Sequence, residues 1–135
     1  MRDLASALDG APSQLPGSTA LSGTTAANGS AVDCDGMEGP VFGVVAVGTA
    51  TGSPTSFTVT GKLQESDTSG GTYTDIATQD QCVVSASGTQ GIIRAQRTKR
   101  WVRTVVTPAF VGGTSPTAPT AAVVVGYKRR MNSVP

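Results

Sequence analysis

The sequence contains no histidine, few aromatic residues and few charged ones, since 4% of its 135 residues are Phe, Trp or Tyr and 14% are charged. Histidine is the side chain that most often transfers protons at neutral pH, and it is the commonest zinc ligand. Ser-His-Asp and Cys-His catalytic arrangements are therefore excluded. Cys34 and Cys82 alone cannot form a structural zinc site. We expect a protein that is not an enzyme and that uses no cofactor and no metal ion.

The sequence also lacks long apolar runs. The longest is Ala121–Val125, far short of the roughly 20 residues that cross a bilayer. The N-terminus carries Arg2 and Asp3 without the apolar core of a secretory signal. We therefore expect a protein with no membrane partner that is made in the cytoplasm. In that compartment, Cys34 and Cys82 are expected to be reduced and largely buried.

Charge is scarce but unevenly distributed. Residues 1–80 contain two basic residues and all nine acidic ones, a net charge of −7, whereas residues 81–135 contain eight basic residues and no acid, a net charge of +8. If the two blocks lie at opposite ends of the molecule, copies of the chain can associate head to tail into a ring. The acids Asp33, Asp35 and Glu38 resemble part of a calcium loop, but without the EF-hand spacing they indicate a solvated loop.

Composition divides the chain into two parts. Residues 1–31 are rich in Ala, Ser, Gly, Thr and Pro and have few large hydrophobic side chains. Such a segment cannot bury enough apolar surface to fold alone. We predict an extended N-terminal arm over 1–31, which is either a disordered tail or a segment that orders against a neighbouring subunit. Residues 32–135 are predicted to form one β-sandwich domain.

The second part shows β patterns. Ser56–Glu65 alternates apolar and polar side chains, which is typical of a half-buried strand. Apolar runs at 41–47, 100–107 and 120–129 predict further strands, and shorter ones are expected near 73–77, 82–85 and 90–96. Residues 108–119 are expected to form a loop. Short strands separated by turn residues favour an all-β fold: an antiparallel β-sandwich or barrel, jelly-roll or immunoglobulin-like.

The predicted core contains few aromatic residues. A small core gives a domain of this size little margin of stability, so we expect association into a homo-oligomer. The core is predicted to contain Phe42, Val44, Phe57, Val59, Leu63, Tyr73, Ile76, Ile93, Trp101, Val105, Val123 and Val125.

Eight basic residues form the candidate partner-binding site. Five lie within ten positions and three end the last predicted strand. They are Arg94, Arg97, Lys99, Arg100, Arg103, Lys128, Arg129 and Arg130. They could form a solvated face, contact an acidic protein surface or bind nucleic acid through its phosphates. Nucleic acid is the least favoured partner, because few aromatic residues are interleaved for stacking and the sequence pI is about 7.8.

Three segments resemble small structural proteins of tailed bacteriophages. Residues 57–77 (FTVTGKLQESDTSGGTYTDIA) resemble a strand, a Gly/Ser turn and a second short strand of that family. Residues 98–107 (TKRWVRTVVT) and 121–125 (AAVVV) resemble the two strands that follow. The resemblance extends over about residues 55–130. The chain departs from the pattern in its long basic stretch, Arg94–Arg103, and in the basic triplet at 128–130.

The resemblance implies a capsid decoration (cement) protein, located on the capsid surface of the virion and made in the host cytoplasm. Its partners would be the major capsid protein and other copies of itself, and the N-terminal arm would clasp neighbouring capsid subunits. The family contributes no catalytic residues. Alternatives are a neck or tail component of the particle, or a surface module that binds host carbohydrate. The latter would require exposed aromatic rings, for which Trp101, Tyr73 and Tyr127 are the candidates.

Overall fold

The regular structure of the chain is entirely β in the computed structural model, which describes residues 8–15 and 20–129. Twelve strands are present in these residues, of which four are nine or more residues long. They are β1 (Leu8–Gln14), β2 (Leu21–Ser22), β3 (Ala27–Asn28), β4 (Val32–Asp33), β5 (Met37–Val47), β6 (Ser56–Ser66), β7 (Thr74–Asp75), β8 (Cys82–Val84), β9 (Thr89–Ala95), β10 (Trp101–Val111), β11 (Thr117–Ala118) and β12 (Thr120–Lys128).

The strands form two main antiparallel sheets. The first sheet has the order β1-β12-β5-β9. In the second sheet β10 pairs with β6, while β3 and β4 pair with β10, and β7 and β8 pair with β6. β2 and β11 pair with each other in a separate two-stranded sheet. If β3 with β4 and β7 with β8 each count as one interrupted strand, the remaining eight strands form two sheets of four. Their orders by position in the chain are 1-8-3-6 and 2-7-4-5, which is the arrangement of a jelly roll. The predicted all-β sandwich is confirmed.

The longest pairing joins β6 to β10 over eleven residues, from Trp101 opposite Ser66 to Val111 opposite Ser56. The prediction of a loop beginning at Pro108 is wrong, since β10 continues through Pro108 to Val111. Proline has no N–H to donate and is normally confined to positions paired on one side. β3 reaches only Val106 along β10, so the pairing described for Pro108 is to β6 alone. Gly112 and Gly113, both with positive φ, then turn the chain.

The core lies between the two sheets. The predicted core residues Phe57, Val59, Leu63, Ile76 and Ile93 are buried there, while Val105 is buried on the other face of β10, opposite Lys62. Phe42, Val44, Tyr73, Trp101 and Val125 are half-buried, and Val123 is 36% exposed. The prediction therefore chose the wrong face of β5 and β12.

Space inside the sandwich decides which face of β5 and β12 points inward. Both strands carry apolar side chains on both faces, so alternation of side chains does not distinguish the faces. The inward positions include Gly43 and Gly126. A Cβ atom at Gly43 would stand 2.9 Å from Cδ2 of Leu63, and one at Gly126 would stand 2.6 Å from Sδ of Met37. These two large side chains fill the space that side chains at 43 and 126 would need.

Part of the predicted N-terminal arm lies within the sandwich. β1 pairs with β12 along the edge of the first sheet. The buried Ser13 hydroxyl donates to the carbonyl of Ser30 at 2.8 Å and accepts from the N–H of Thr104 at 3.0 Å. The described part of this segment is therefore bonded to its own domain. Contact with a neighbouring subunit stays a prediction, and residues 1–7 and 16–19 of the predicted arm lie outside the described residues.

Both cysteines are free and buried, as the sequence predicts. Burial raises the pKa of Cys34 to about 11, and burial also raises the pKa of Cys82. Both thiols are therefore protonated at neutral pH, which makes them poor nucleophiles.

We predict that Gly43→Ala lowers the free energy of unfolding by about 1–3 kcal/mol, because its methyl group would enter a packed core. In a Leu63→Ala background the same substitution should cost less, since the neighbouring Cδ2 atom is gone. Chemical denaturation of the four proteins measures both effects, and Val83→Ala, at an exposed strand position, serves as a control with an expected change below about 0.5 kcal/mol. Equal costs of Gly43→Ala in both backgrounds would contradict this packing.

Candidate interaction surfaces

The basic residues of the candidate site do not form a single patch. Arg94 lies on the outer face of the first sheet, opposite Phe42 of β5. Arg103 lies on the outer face of the second sheet, opposite Gln64 of β6. The other described members of the site lie in the loop between β9 and β10 or at the end of β12. Residues 94–103 cross from the first sheet to the second, and this crossing separates their charged side chains.

Four of the basic residues collect around the β4–β5 turn, residues 33–37. Arg97 is half-buried, and its Nη2 donates to the Met37 carbonyl at 2.6 Å. Arg100 binds the Asp33 carboxylate through Nε and Nη2, each at 2.9 Å. Lys128 pairs with Met37 in the sheet, and the N–H of Arg129 donates to the Gly36 carbonyl at 2.8 Å. Arg130 lies outside the described residues. Arg97 and Arg100 thus hold this turn against the start of β10.

The two charge blocks of the sequence meet within one molecule. Among the residues that the structure describes, three ion pairs join the basic half to the acidic half: Arg94 with Asp80 at 2.8 Å, Lys99 with Asp67 at 3.8 Å, and Arg100 with Asp33 at 2.9 Å. The acidic and basic segments are therefore side by side, and not at opposite ends as head-to-tail association requires. Each pair is largely exposed, so solvent screens it and it contributes little to stability.

Arg103 belongs to a polar ladder on the outer face of the second sheet. Its Nε and Nη2 donate to Oε1 of Gln64 at 3.0 and 2.8 Å, and its guanidinium lies 4.3 Å from the centre of the Tyr73 ring. The Gln64 amide donates to Asp75 at 2.8 Å, and Lys62 donates to the same carboxylate at 3.0 Å. Bonds from Gln64 and then Lys62 lower the pKa of Asp75. The ladder ties β10, β6 and β7 together.

Glu65 is a buried carboxylate that sequence reasoning missed. It is 6% exposed and accepts from the Thr98 N–H at 2.7 Å, from the Thr98 hydroxyl at 2.8 Å and from the Lys99 N–H at 3.2 Å. These bonds fix the loop that carries the basic residues. Only its place at an inward position of an alternating strand could have indicated this role, since Phe57, Val59 and Leu63 share its face.

The outer faces of the two sheets differ in chemistry. The second sheet presents Ser, Thr, Lys and Gln along β6, whereas β10 presents Arg103 and Thr107 among the apolar side chains of Trp101, Val105, Ala109 and Val111. The first sheet presents apolar side chains across β12, β5 and β9, with Val123 opposite Val44 and Val44 opposite Ile92. We call this surface the outer apolar face, and its residues are Phe42, Val44, Ile92, Val123, Val125 and Tyr127. The signal for it in the sequence is the lack of alternation in residues 41–47 and 121–125.

Comparison with known proteins finds no family model, no curated protein and no solved structure that matches the chain. No helix long and apolar enough to cross a membrane occurs in the part of the chain that the structure describes.

We predict that Glu65→Gln lowers the free energy of unfolding by about 2–3 kcal/mol, because an amide cannot accept all the bonds that the carboxylate accepts in this buried position. Glu38→Gln, at an exposed position of β5, is the matched control and should change stability by less than about 0.5 kcal/mol. Urea denaturation measures the stability, and amide hydrogen exchange at Thr98 and Lys99 should become faster in Glu65→Gln only. Unchanged exchange at both amides would contradict the assigned role.

The Asp33–Arg100 pair should make stability depend on acid pH. The bond from Arg100, followed by the bond from the Asp35 N–H, lowers the pKa of Asp33 to about 2. The stabilisation of the folded state by ionised Asp33 is therefore fully present above the pKa of about 3.8 that Asp33 has in the unfolded chain. This stabilisation is lost as the pH falls through about 2. Asp33→Asn should cost up to about 1 kcal/mol at pH 6, given the exposure of the pair, and the difference from wild type should shrink towards pH 2.

Urea denaturation between pH 6 and pH 2 tests this dependence. Arg100→Gln should reproduce the loss, and the double variant should add little to either single one, because both substitutions remove the same pair. A stability difference between wild type and Asp33→Asn that does not change with pH would contradict the assignment.

Proposed function

We propose that the protein is a structural protein of a tailed-bacteriophage particle, without enzymatic activity, that decorates the capsid and stabilises it by bridging adjacent capsid subunits. It would act through contact surfaces of the β-sandwich, which hold capsid subunits together. The proposal extends the resemblance in residues 55–130 with the contacts that those residues make.

The observation that carries the proposal is that the resembling segments bond to one another. Arg103, from residues 98–107, binds Gln64 and stacks on Tyr73, both from residues 57–77. Glu65 accepts bonds from Thr98 and Lys99. The three sequence segments that carry the resemblance therefore contact one another in the folded chain. Resembling segments that pack together in this chain support the proposal better than separate short matches would.

The fold and the charges are consistent with such a role. Jelly rolls occur in viral capsid proteins and also in lectins and cupins, so the fold alone does not choose between them. Carbohydrate sites need exposed aromatic faces. Here the Arg103 guanidinium covers a face of Tyr73 and Arg100 lies 5.4 Å from the centre of the Trp101 ring, so that Tyr127, 46% exposed, is the one open ring of the three candidates. These contacts favour a structural role over carbohydrate binding.

The mechanism we propose relies on repetition. Each copy contributes a weak contact to the shell, and a symmetric arrangement of many copies multiplies these contacts. The exposed basic residues, above all Arg94 on the first sheet and Arg129 at the end of β12, are the proposed contacts to the acidic surface of the capsid. Their separation over the molecule suits a protein that touches more than one neighbour.

The number of copies per particle tests the proposal. We predict that quantitative mass spectrometry of purified particles finds hundreds of copies, in a fixed ratio to the major capsid protein. About six or twelve copies, the count of a ring at one vertex, would assign the chain to the neck or tail instead. Absence of the chain from particles purified at moderate salt would contradict a structural role in the virion.

A further inference from the structure

The outer apolar face covers most of the width of the first sheet. One row runs from Val123 through Val44 to Ile92, and the next runs from Val125 through Phe42 to Arg94 at the sheet edge. Pro12 and Gly10 of β1 extend these two rows on the opposite edge. The face is open in the described residues, since Val123 is 36%, Tyr127 46% and Ile92 55% exposed.

The sequences of β5 and β12 are those of strands buried on both sides. A strand with one solvated face normally alternates apolar and polar side chains, whereas a strand covered on both faces is apolar throughout. The second sheet covers the inner face of β5 and β12. On the outer face, half-buried Phe42, Val44 and Val125 stand where the outer face of β6 carries Thr58, Thr60, Lys62 and Gln64. The outer apolar face therefore has the composition of a sheet surface that is buried against another layer of protein.

We propose that the outer apolar face packs against the same face of a second copy of the chain. An isologous contact needs one surface that is complementary to itself. A pleated array of valine, isoleucine and aromatic side chains meets this condition, because two such faces pack about 10 Å apart with interdigitated side chains, as in the two layers of a sandwich. The dimer would contain four stacked sheets, with the two first sheets at its centre.

Charge also favours a second copy as the occupant. The net charge of the chain is only +1, so two copies repel each other weakly. Two charged residues lie at the rim of the face: Arg94, whose Nε is paired with Asp80 of the same chain at 2.8 Å, and Glu38, which lies opposite Tyr127 in the sheet. Two copies can therefore approach face to face without an uncompensated like charge between Arg94 and its neighbours.

The size of the face predicts a weak dimer. Strands about 4.8 Å apart, with about 6.7 Å between outward residues, give the face of the four strands a footprint of roughly 400 Å² per copy. The two copies together would bury roughly 800 Å² of flat footprint, and somewhat more because side chains make the surface uneven. This total is close to the roughly 1,000 Å² that separates specific interfaces from incidental contacts. We therefore expect a dissociation constant in the micromolar range or above in dilute solution.

Sedimentation velocity of the full chain, from about 1 μM to about 1 mM, tests the proposal. Wild type should shift from monomer to dimer across this range, in low salt and in about 1 M NaCl alike, because apolar contacts are not screened by salt. Val123→Glu should raise the dissociation constant at least about tenfold. Val83→Glu is the matched control, since Val83 is an exposed strand valine on the other sheet, and it should dimerise as wild type does.

Ile92→Glu repeats the test at a more exposed position at the sheet edge, in case Val123→Glu does not fold, and circular dichroism checks the fold of each variant. Association that disappears in about 1 M NaCl would overturn the proposal in favour of an ionic contact. Association that Val123→Glu and Ile92→Glu leave unchanged would overturn it in favour of a contact elsewhere on the molecule. A wild-type monomer at every concentration would overturn it as well. The inference concerns the isolated protein and does not rest on the virion role, so either can fail alone.

Discussion

The apolar character of β5 and β12 on both of their faces is the constraint on which the rest of the structure depends. These two strands pair over most of their length and form the centre of the first sheet. Their inner faces carry Val41, Val45, Val47, Ala122 and Val124, which form much of the core with the second sheet. Their outer faces are nearly as apolar. The first sheet is therefore apolar on both its inner and its outer face. The second sheet buries only its inner face, against the first sheet.

The polar half of the structure follows from this division. Apart from the Arg94–Asp80 pair at the edge of the first sheet, the ion pairs and the polar ladder lie on the second sheet and on the loops beside it. Asp33 holds Arg100, Glu65 holds the loop at 98–99, and Gln64 joins Arg103 to Asp75. Among the described residues, three ion pairs thus join the acidic half of the sequence to the basic half inside the molecule. The chain has two differentiated surfaces, one polar and internally bonded, the other apolar and open.

The sequence allowed the all-β class and most long strands to be predicted, because turn residues and apolar runs are local signals. Ser56–Glu65 alternates, and its inward residues Phe57, Val59 and Leu63 were assigned correctly. Val44 and Val123 were assigned to the wrong face, since their strands do not alternate and only packing against Leu63 and Met37 decides the matter. The Asp33–Arg100 pair joins residues 67 positions apart, and no local pattern reports such a contact.

The most direct test of the central claim, that a second copy of the chain covers the outer apolar face in concentrated solution, is methyl NMR with a soluble paramagnetic agent that broadens solvent-accessible groups. In a concentrated sample the methyl groups of Val44 and Val123 should be nearly as protected as those of Val45 in the core, and dilution should expose them. The methyl groups of Val83 should be accessible at every concentration. Accessibility of the Val44 and Val123 methyl groups that does not change with concentration would contradict the account.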